Sequence, residues 1–406
     1  MKAIVVGGGI SGIFTAIELK RSGLDVLVLE RKDRILKKML VTGNGRCNIT
    51  NADLSCDNYN DKDFVKPSLE LNDNGDFRNY LKSLGIITIE EEFGRIYPIT
   101  LKAQTVVNQL LAEIEDLGIE ILTESFVLDI KKEKGKFIVS TNEETYQADF
   151  LICAAGGSSA PKLGTDGKFY KLLERLGHKK TEIYPALTQI NLKSKYLKQI
   201  SGVKVNGKVL LKRQDKILKE DQGELLFTKY GISGPPILNI SKYVNIYKNE
   251  LSISMPLINI LKGKDEKALK EEIIGSFYLL NHYSLERWLM GILDKKLINM
   301  LLDKTGFDKN IALSNLDQND LYKILENLFS FEFQVLSTRD FENSHVSMGG
   351  ISLEDVDKNN MMSKKIENLY IIGELLDIDG DCGGYNIQWA FSSAQSCARD
   401  IANKIN

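Results

Sequence analysis

The chain has no CxxC pair and only five cysteines, an odd number scattered between Cys47 and Cys397. That pattern builds neither a disulfide framework nor a metal site, and a reducing compartment, the cytoplasm, is expected. No apolar run approaches the roughly 18 residues a membrane span needs. No charged leader with an apolar stretch comes first, because KAIVVGGG starts at residue 2, so no signal peptide is expected. An excess of positive charge is missing too. The 53 Lys and Arg face 55 Asp and Glu, a formal net charge of −2. That balance predicts no nucleic-acid partner, since such binders are usually basic. Internal repeats and low-complexity segments are also lacking. What remains is 406 residues, 43% hydrophobic and 27% charged, enough for two or three domains around a large core.

The opening is the most readable part. Ala3 to Val6 form an apolar strand, and Gly7, Gly9 and Gly12 follow in GxGxxG spacing. Ile13, Ala16, Ile17 and Leu19 then recur at helical spacing, with Gly23 as a stop. A second strand, DVLVLE, ends in Glu30, 18 residues after Gly12. Strand, glycines, helix, strand and acid in this order specify a dinucleotide. Gly7 makes the turn and Gly9 lets backbone approach a pyrophosphate. Gly12 lets helix and strand pack, and the helix N-terminus attracts the phosphate charge. Ser11 adds a hydroxyl donor, and Glu30 can accept from a ribose diol. An empty α/β unit with a glycine-rich turn is the plain alternative.

The rest decides which dinucleotide. No second GxGxxG follows a strand, so a dedicated NAD(P) domain is not visible. After GIEILTES, the run from SFVLDI to FLICAAGG reads as an antiparallel meander leading into a buried strand that ends at Ala155, Gly156 and Gly157. Some 200 residues later NLYIIGELLDIDGDCGGYN supplies another apolar strand, and IQWAFSSAQSCARDIANKI a last helix. These are the parts of an FAD domain in two pieces, 1–187 and 336–406. Between them, 188–257 favour strands and 258–335 turn helical. The expected fold is therefore α/β, a two-piece Rossmann-type FAD domain with an inserted β domain and a helical domain.

TGNGRCNITN (42–51), EEFGRIYPITLKAQTVVNQL, GELLFTKYGISGPPIL and IIGELLDIDGDCGGYNIQWAFSSA resemble the bacterial NAD(P)/FAD-dependent oxidoreductases. That family includes the aminoacetone-oxidase-like proteins and the flavoprotein of the bile-acid-inducible operon. The resemblance runs over the whole chain and implies FAD as cofactor. Asn44 departs from it, standing where a glycine or another small residue is expected. The resemblance places adenine contacts at the backbone of Val127. Gly156 is expected to be small because the cofactor passes close by. Gly373 and Glu374 end a strand against the cofactor, where Glu374 can accept from ribityl hydroxyls. Gly383, Gly384, Tyr385 and Asn386 open the last helix, whose amides can face the flavin N1–C2=O edge, and Ile387 is a further candidate cofactor-binding residue. Lys38 can reach a phosphate, and Arg31 is a further candidate cofactor-binding residue.

TGNGRCNITN gains a task from this outline. Gly43 and Gly45 let backbone lie against the ring or the phosphates. Arg46, with no carboxylate near it in sequence, can face an anion, and Asn48 can bond the pyrimidine edge. Arg46, Asn48 and Tyr385 are the candidate catalytic residues. Cys47 reads either as a buried structural thiol or, with Cys382, as a redox pair; the missing CxxC favours the first. His345 reads as a structural histidine before a proton donor, and His178 as a helix cap or surface residue. No metal site is expected.

The function expected is hydride transfer through flavin N5. The substrate is a small molecule, either an enone-like or carbonyl compound reduced with NAD(P)H or a small amine oxidised with oxygen. A flavin-dependent RNA-modifying enzyme and a non-catalytic flavin redox sensor are the alternatives.

Overall fold

Apolar runs and glycine punctuation at the N-terminus become a parallel sheet in the computed structural model, which describes residues 1–261, 263 and 265–405. Strand β1 (Lys2–Val6) leads through the glycine turn into helix α1 (Ile10–Arg21) and strand β2 (Asp25–Leu29). Three short strands join them: β3 (Glu120–Leu122), β4 (Phe150–Cys153) and β5 (Leu369–Ile371). The order is β5-β4-β1-β2-β3, all parallel. Continuous burial of β1, β2, β4 and β5 matches their unbroken apolar runs, as a sheet covered on both faces requires. The predicted meander forms from Val127–Glu133, Lys136–Thr141 and Thr145–Ala148.

Helix α2 (Tyr385–Ile405) lies against α1 in the same core. An aromatic cluster fastens them. Phe77 stacks on Phe391 at 4.3 Å, and Phe14 of α1 meets both rings edge-on at 5.5 Å. Each contact of this kind adds about 0.5–1.5 kcal/mol beyond the area it buries.

The chain divides into two compact units, 1–186 with 341–406, and 187–340. Within 187–340, among the described residues, six antiparallel strands close a barrel: Ile190–Lys193, Gly231–Ser233, Lys216–Phe227, Lys204–Arg213, Leu251–Met255 and Phe331–Thr338. The return point at 336 expected from the sequence falls inside the last of these strands. Phe331 and Phe333 face the barrel core there, so the chain leaves this unit only after Asp340. The residues read as a separate helical domain share that core. Trp288, Leu297, Leu301 and Leu328 are buried in one cluster with Val209, Phe227 and Ile253. No helix among the described residues is long and apolar enough to cross a membrane.

Candidate functional site

At the carboxyl ends of β1 and β2 the glycine turn is shaped from within. A Cβ on Gly12 would sit 2.1 Å from the Gly7 carbonyl, so helix and turn tolerate no side chain there. A Cβ on Gly9 would meet nothing within 4 Å. Helix α1 has no acidic residue in its first turn, and no side chain among the described residues caps it. Free amides beside open space suit an anion. Ser11 is buried behind this turn, and a Cβ on Gly373 would lie 2.7 Å from its hydroxyl, so the late strand end reaches the first helix.

Glu30 is buried, and its carboxylate accepts from the Lys32 amide at 2.7 Å and the Gly8 amide at 2.8 Å. Burial pushes its carboxyl up, against the pull of those amides. Arg31 does not reach into the turn. It makes a bidentate pair with Asp166, and its guanidinium lies over Phe126 at 5.6 Å. Burial works against the Asp166 carboxylate, yet Arg31 and Lys168 hold it down at about 2. Val127 begins the meander, half-buried. Ala155 and Gly156 follow β4, with Gly156 in the left-handed region against Thr165.

Glu374 is the hub of the second chain segment. One carboxylate oxygen accepts from Lys38 Nζ at 2.8 Å. The other accepts from Ser159 Oγ and from the Ser347 amide, both at 2.9 Å, and from Ser347 Oγ at 3.2 Å. Lys38 Nζ also donates to Ser159 Oγ at 2.5 Å. His345 is solvent-exposed but crowded on one side; desolvation and the Lys38 cation hold its imidazole below the usual range. Lys38 thus ties the early chain to the late one. Ser159 and Ser347 gave no signal in the sequence; only the strand ends that carry them bring them together.

TGNGRCNITN folds as a tight irregular loop. Gly43, Asn44, Gly45 and Cys47 all have positive φ. Asn44 tolerates that conformation better than most residues, which explains its standing in for glycine. The loop runs into Thr50–Asn51, which pairs with Arg95–Pro98. That pairing changes the reading of Arg46. Its guanidinium bonds Glu91 at 2.5 Å and lies 4.4 Å over the Tyr97 ring. A carboxylate distant in sequence is delivered by strand pairing, so Arg46 is not free. Asn48 differs. Its buried side-chain Oδ1 has no hydrogen-bond partner among the described residues. Cys47 is fully buried and its thiol is pushed up to about 12 by desolvation, which suits a structural cysteine. No disulfide joins it to Cys382.

The start of α2 is locked to this loop. A Cβ on Gly384 would sit 2.5 Å from the Thr50 carbonyl. Thr50 Oγ1 donates to Gln388 Oε1 at 2.5 Å, and Asn51 Nδ2 to the Gly383 carbonyl at 3.1 Å. Asn386 is consumed by its own turn, accepting from the Gly380 amide and donating to the Gly380 carbonyl. Tyr385 is buried against Tyr59, which donates to its carbonyl at 2.8 Å. Burial pushes the Tyr385 phenol up to about 12. Ile387 packs half-buried on the core. His178 is no surface residue. It is buried, with ring nitrogens 2.8 Å from Ser363 Oγ and 3.2 Å from the Leu173 carbonyl.

These features fit an adenine dinucleotide: an uncapped helix start, open space at Gly9, a buried ribose-type acid and an unpartnered carbonyl at Asn48. Comparison with known proteins agrees. A family model described as HI0933-like protein Rossmann domain matches residues 1–400. A 3-dehydro-bile acid delta(4,6)-reductase of Clostridium scindens is 33% identical, covering 98% of this chain and 98% of its own. A ribosomal RNA dihydrouridine synthase of Haemophilus influenzae is 29% identical, covering 99% of this chain and 98% of its own. Among solved structures, 3-ketosteroid delta1-dehydrogenase from Sterolibacterium denitrificans has a TM-score of 0.54 at 12% identity, covering 99% of both chains, a likeness of fold.

Proposed function

This chain belongs to the HI0933-like Rossmann family and is an FAD-dependent oxidoreductase, and from that premise we propose that it reduces a carbon–carbon double bond conjugated to a carbonyl, with NAD(P)H as electron donor. One observation carries the reading. Two relatives alike over the whole chain have names that describe saturation of such a bond, in a bile acid and in uridine. The class of bond is what they share; the size of the substrate is not.

FAD, when bound, supplies hydride at its N5 atom. The residues of this chain bind and orient it. The start of α1 with Gly7, Gly9, Ser11 and Gly12 takes the pyrophosphate, and Glu30 the adenosine ribose. Val127 offers backbone to the adenine, and Ala155 and Gly156 border its path. Glu374 with Gly373 takes ribityl hydroxyls. Gly43, Gly45 and Cys47 shape the loop that presents Asn48, whose free carbonyl accepts from an N–H donor such as the flavin pyrimidine edge. Gly384, with the start of α2, backs that loop, and Tyr385 and Ile387 hold the helix start in the core. Lys38 places a cation beside Glu374, where it can offset charge on a phosphate or a developing oxyanion. Arg46 can join them only by exchanging Glu91 for an anion.

Anaerobic stopped-flow tests the reading. NADH or NADPH should bleach the flavin, and a conjugated enone should restore its colour faster than buffer does. Restoration by oxygen alone, with amine rather than nicotinamide as the reductant, would overturn it in favour of an amine oxidase.

A further inference from the structure

We propose that the barrel of the 187–340 unit carries a binding face for single-stranded RNA. The overall charge of −2 conceals a segregation. Residues 1–186 and 341–406 hold 30 Lys and Arg against 37 Asp and Glu, whereas 187–340 hold 23 against 18. The excess is concentrated in 187–249, where 12 Lys and Arg face 4 Asp and Glu.

The fold gathers part of this charge beside aromatic rings. In the hairpin of Lys204–Arg213 and Lys216–Phe227, Arg213 stands opposite Lys216, and Leu211 opposite Lys219. Like charges across a strand pair cost stability. Lys204 and Lys208, further along, are neutralised by Glu224 and Glu220. Lys216 and Lys219 have no ion pair among the described residues. The helix Pro235–Tyr247 lays Tyr243 and Tyr247 one turn apart, rings 6.3 Å apart and inclined by 17°. Lys219 Nζ lies 5.3 Å from the Tyr243 ring, and the Arg213 guanidinium 5.8 Å from the Tyr247 ring. Both tyrosines are half-exposed.

Cations at the hairpin end attract a phosphate backbone, and flat rings braced by cations accept unpaired bases. Paired bases would offer the rings no face, so the single-stranded form is the better occupant. A pyrimidine in such a strand also presents a double bond conjugated to a carbonyl. That RNA is reduced as well as bound rests on the reading above; the binding face does not.

The test is fluorescence anisotropy of FAD-loaded full-length protein with a labelled oligouridine of about 12 nucleotides, between about 50 and 200 mM salt. The wild type should bind in a salt-sensitive way. K216E/K219E should lower the log–log salt slope by about 1.4, at about 0.7 per lost phosphate contact. Y243A/Y247A should weaken binding about fivefold or more, and Y243F/Y247F should restore it. Binding unchanged in K216E/K219E would overturn the proposal. So would equal affinity for inorganic polyphosphate with no loss in Y243A/Y247A. Ile217 and Ile246 are also exposed, at 49% and 48%, so association with anionic vesicles and not with RNA would overturn it too. RNA binding without enone-driven flavin reoxidation would sink the reductase reading and leave this one standing.

Discussion

Glu374 shows how much one side chain can organise. Four donors converge on it: Lys38 Nζ, Ser159 Oγ, and the amide and hydroxyl of Ser347. Glu374→Ala should weaken FAD binding by roughly 1–3 kcal/mol, the cost of stranding buried partners. Fluorescence titration of apoprotein measures it; an unchanged dissociation constant would make the hub purely structural. Asp166 predicts a pH dependence. Its folded-state pKa of about 2 lies below its ordinary value of 3.8, so its stabilisation is present above about pH 4 and lost as pH falls towards 2. Thermal midpoints of wild type and Asp166→Asn, compared from pH 5 to pH 2, should converge at the acid end. A constant gap would mean that the Arg31 pair contributes nothing through its charge. At this scale the sequence disclosed chemistry better than partnership. The glycine turn and the acid that ends the second strand beside it were legible because both are local in sequence. The Arg46–Glu91 pair was not, because it depends on which strand lies beside Thr50–Asn51. Asn386 likewise looks free until its turn closes on it.

Among elements, the contact between α2 and the 42–51 loop is the narrowest fit. Gly384 has φ +100 and leaves no room for a Cβ against Thr50. Gly384→Ala should cost about 1–3 kcal/mol from backbone strain alone, and more if the helix start shifts. Differential scanning calorimetry would register that as a lower melting temperature, together with reduced FAD content. Full stability with normal FAD content would show that helix and loop move independently. Helix α2 was readable from its period and its glycines. Its lock on the loop was not, since Gln388, which bonds Thr50, Asn72 and Ser392, looks like any polar residue on a helix.

Over the whole molecule, strands and helices were legible but their grouping was not. The segment 258–335 has a helical period, so it reads as a domain of its own; its apolar faces pack into one core with the barrel strands. A fragment of 187–340 should unfold cooperatively by itself. A fragment ending at 330 should not, because it lacks the strand that pairs with both Ile190–Lys193 and Leu251–Met255 and leaves two bare edges. Equal cooperativity in circular-dichroism melts would place the boundary elsewhere. The two-piece sheet has a consequence in time. Strand β4 is flanked by β1 and β5, and β5 begins at Leu369, 216 residues after β4 ends at Cys153. At roughly 5–20 residues per second, a ribosome needs about 10–40 s to cover that interval. Through that wait the FLIC edge of a nascent chain stands open to any other strand, so crowding on a polysome and the reach of chaperones decide how much of the protein matures.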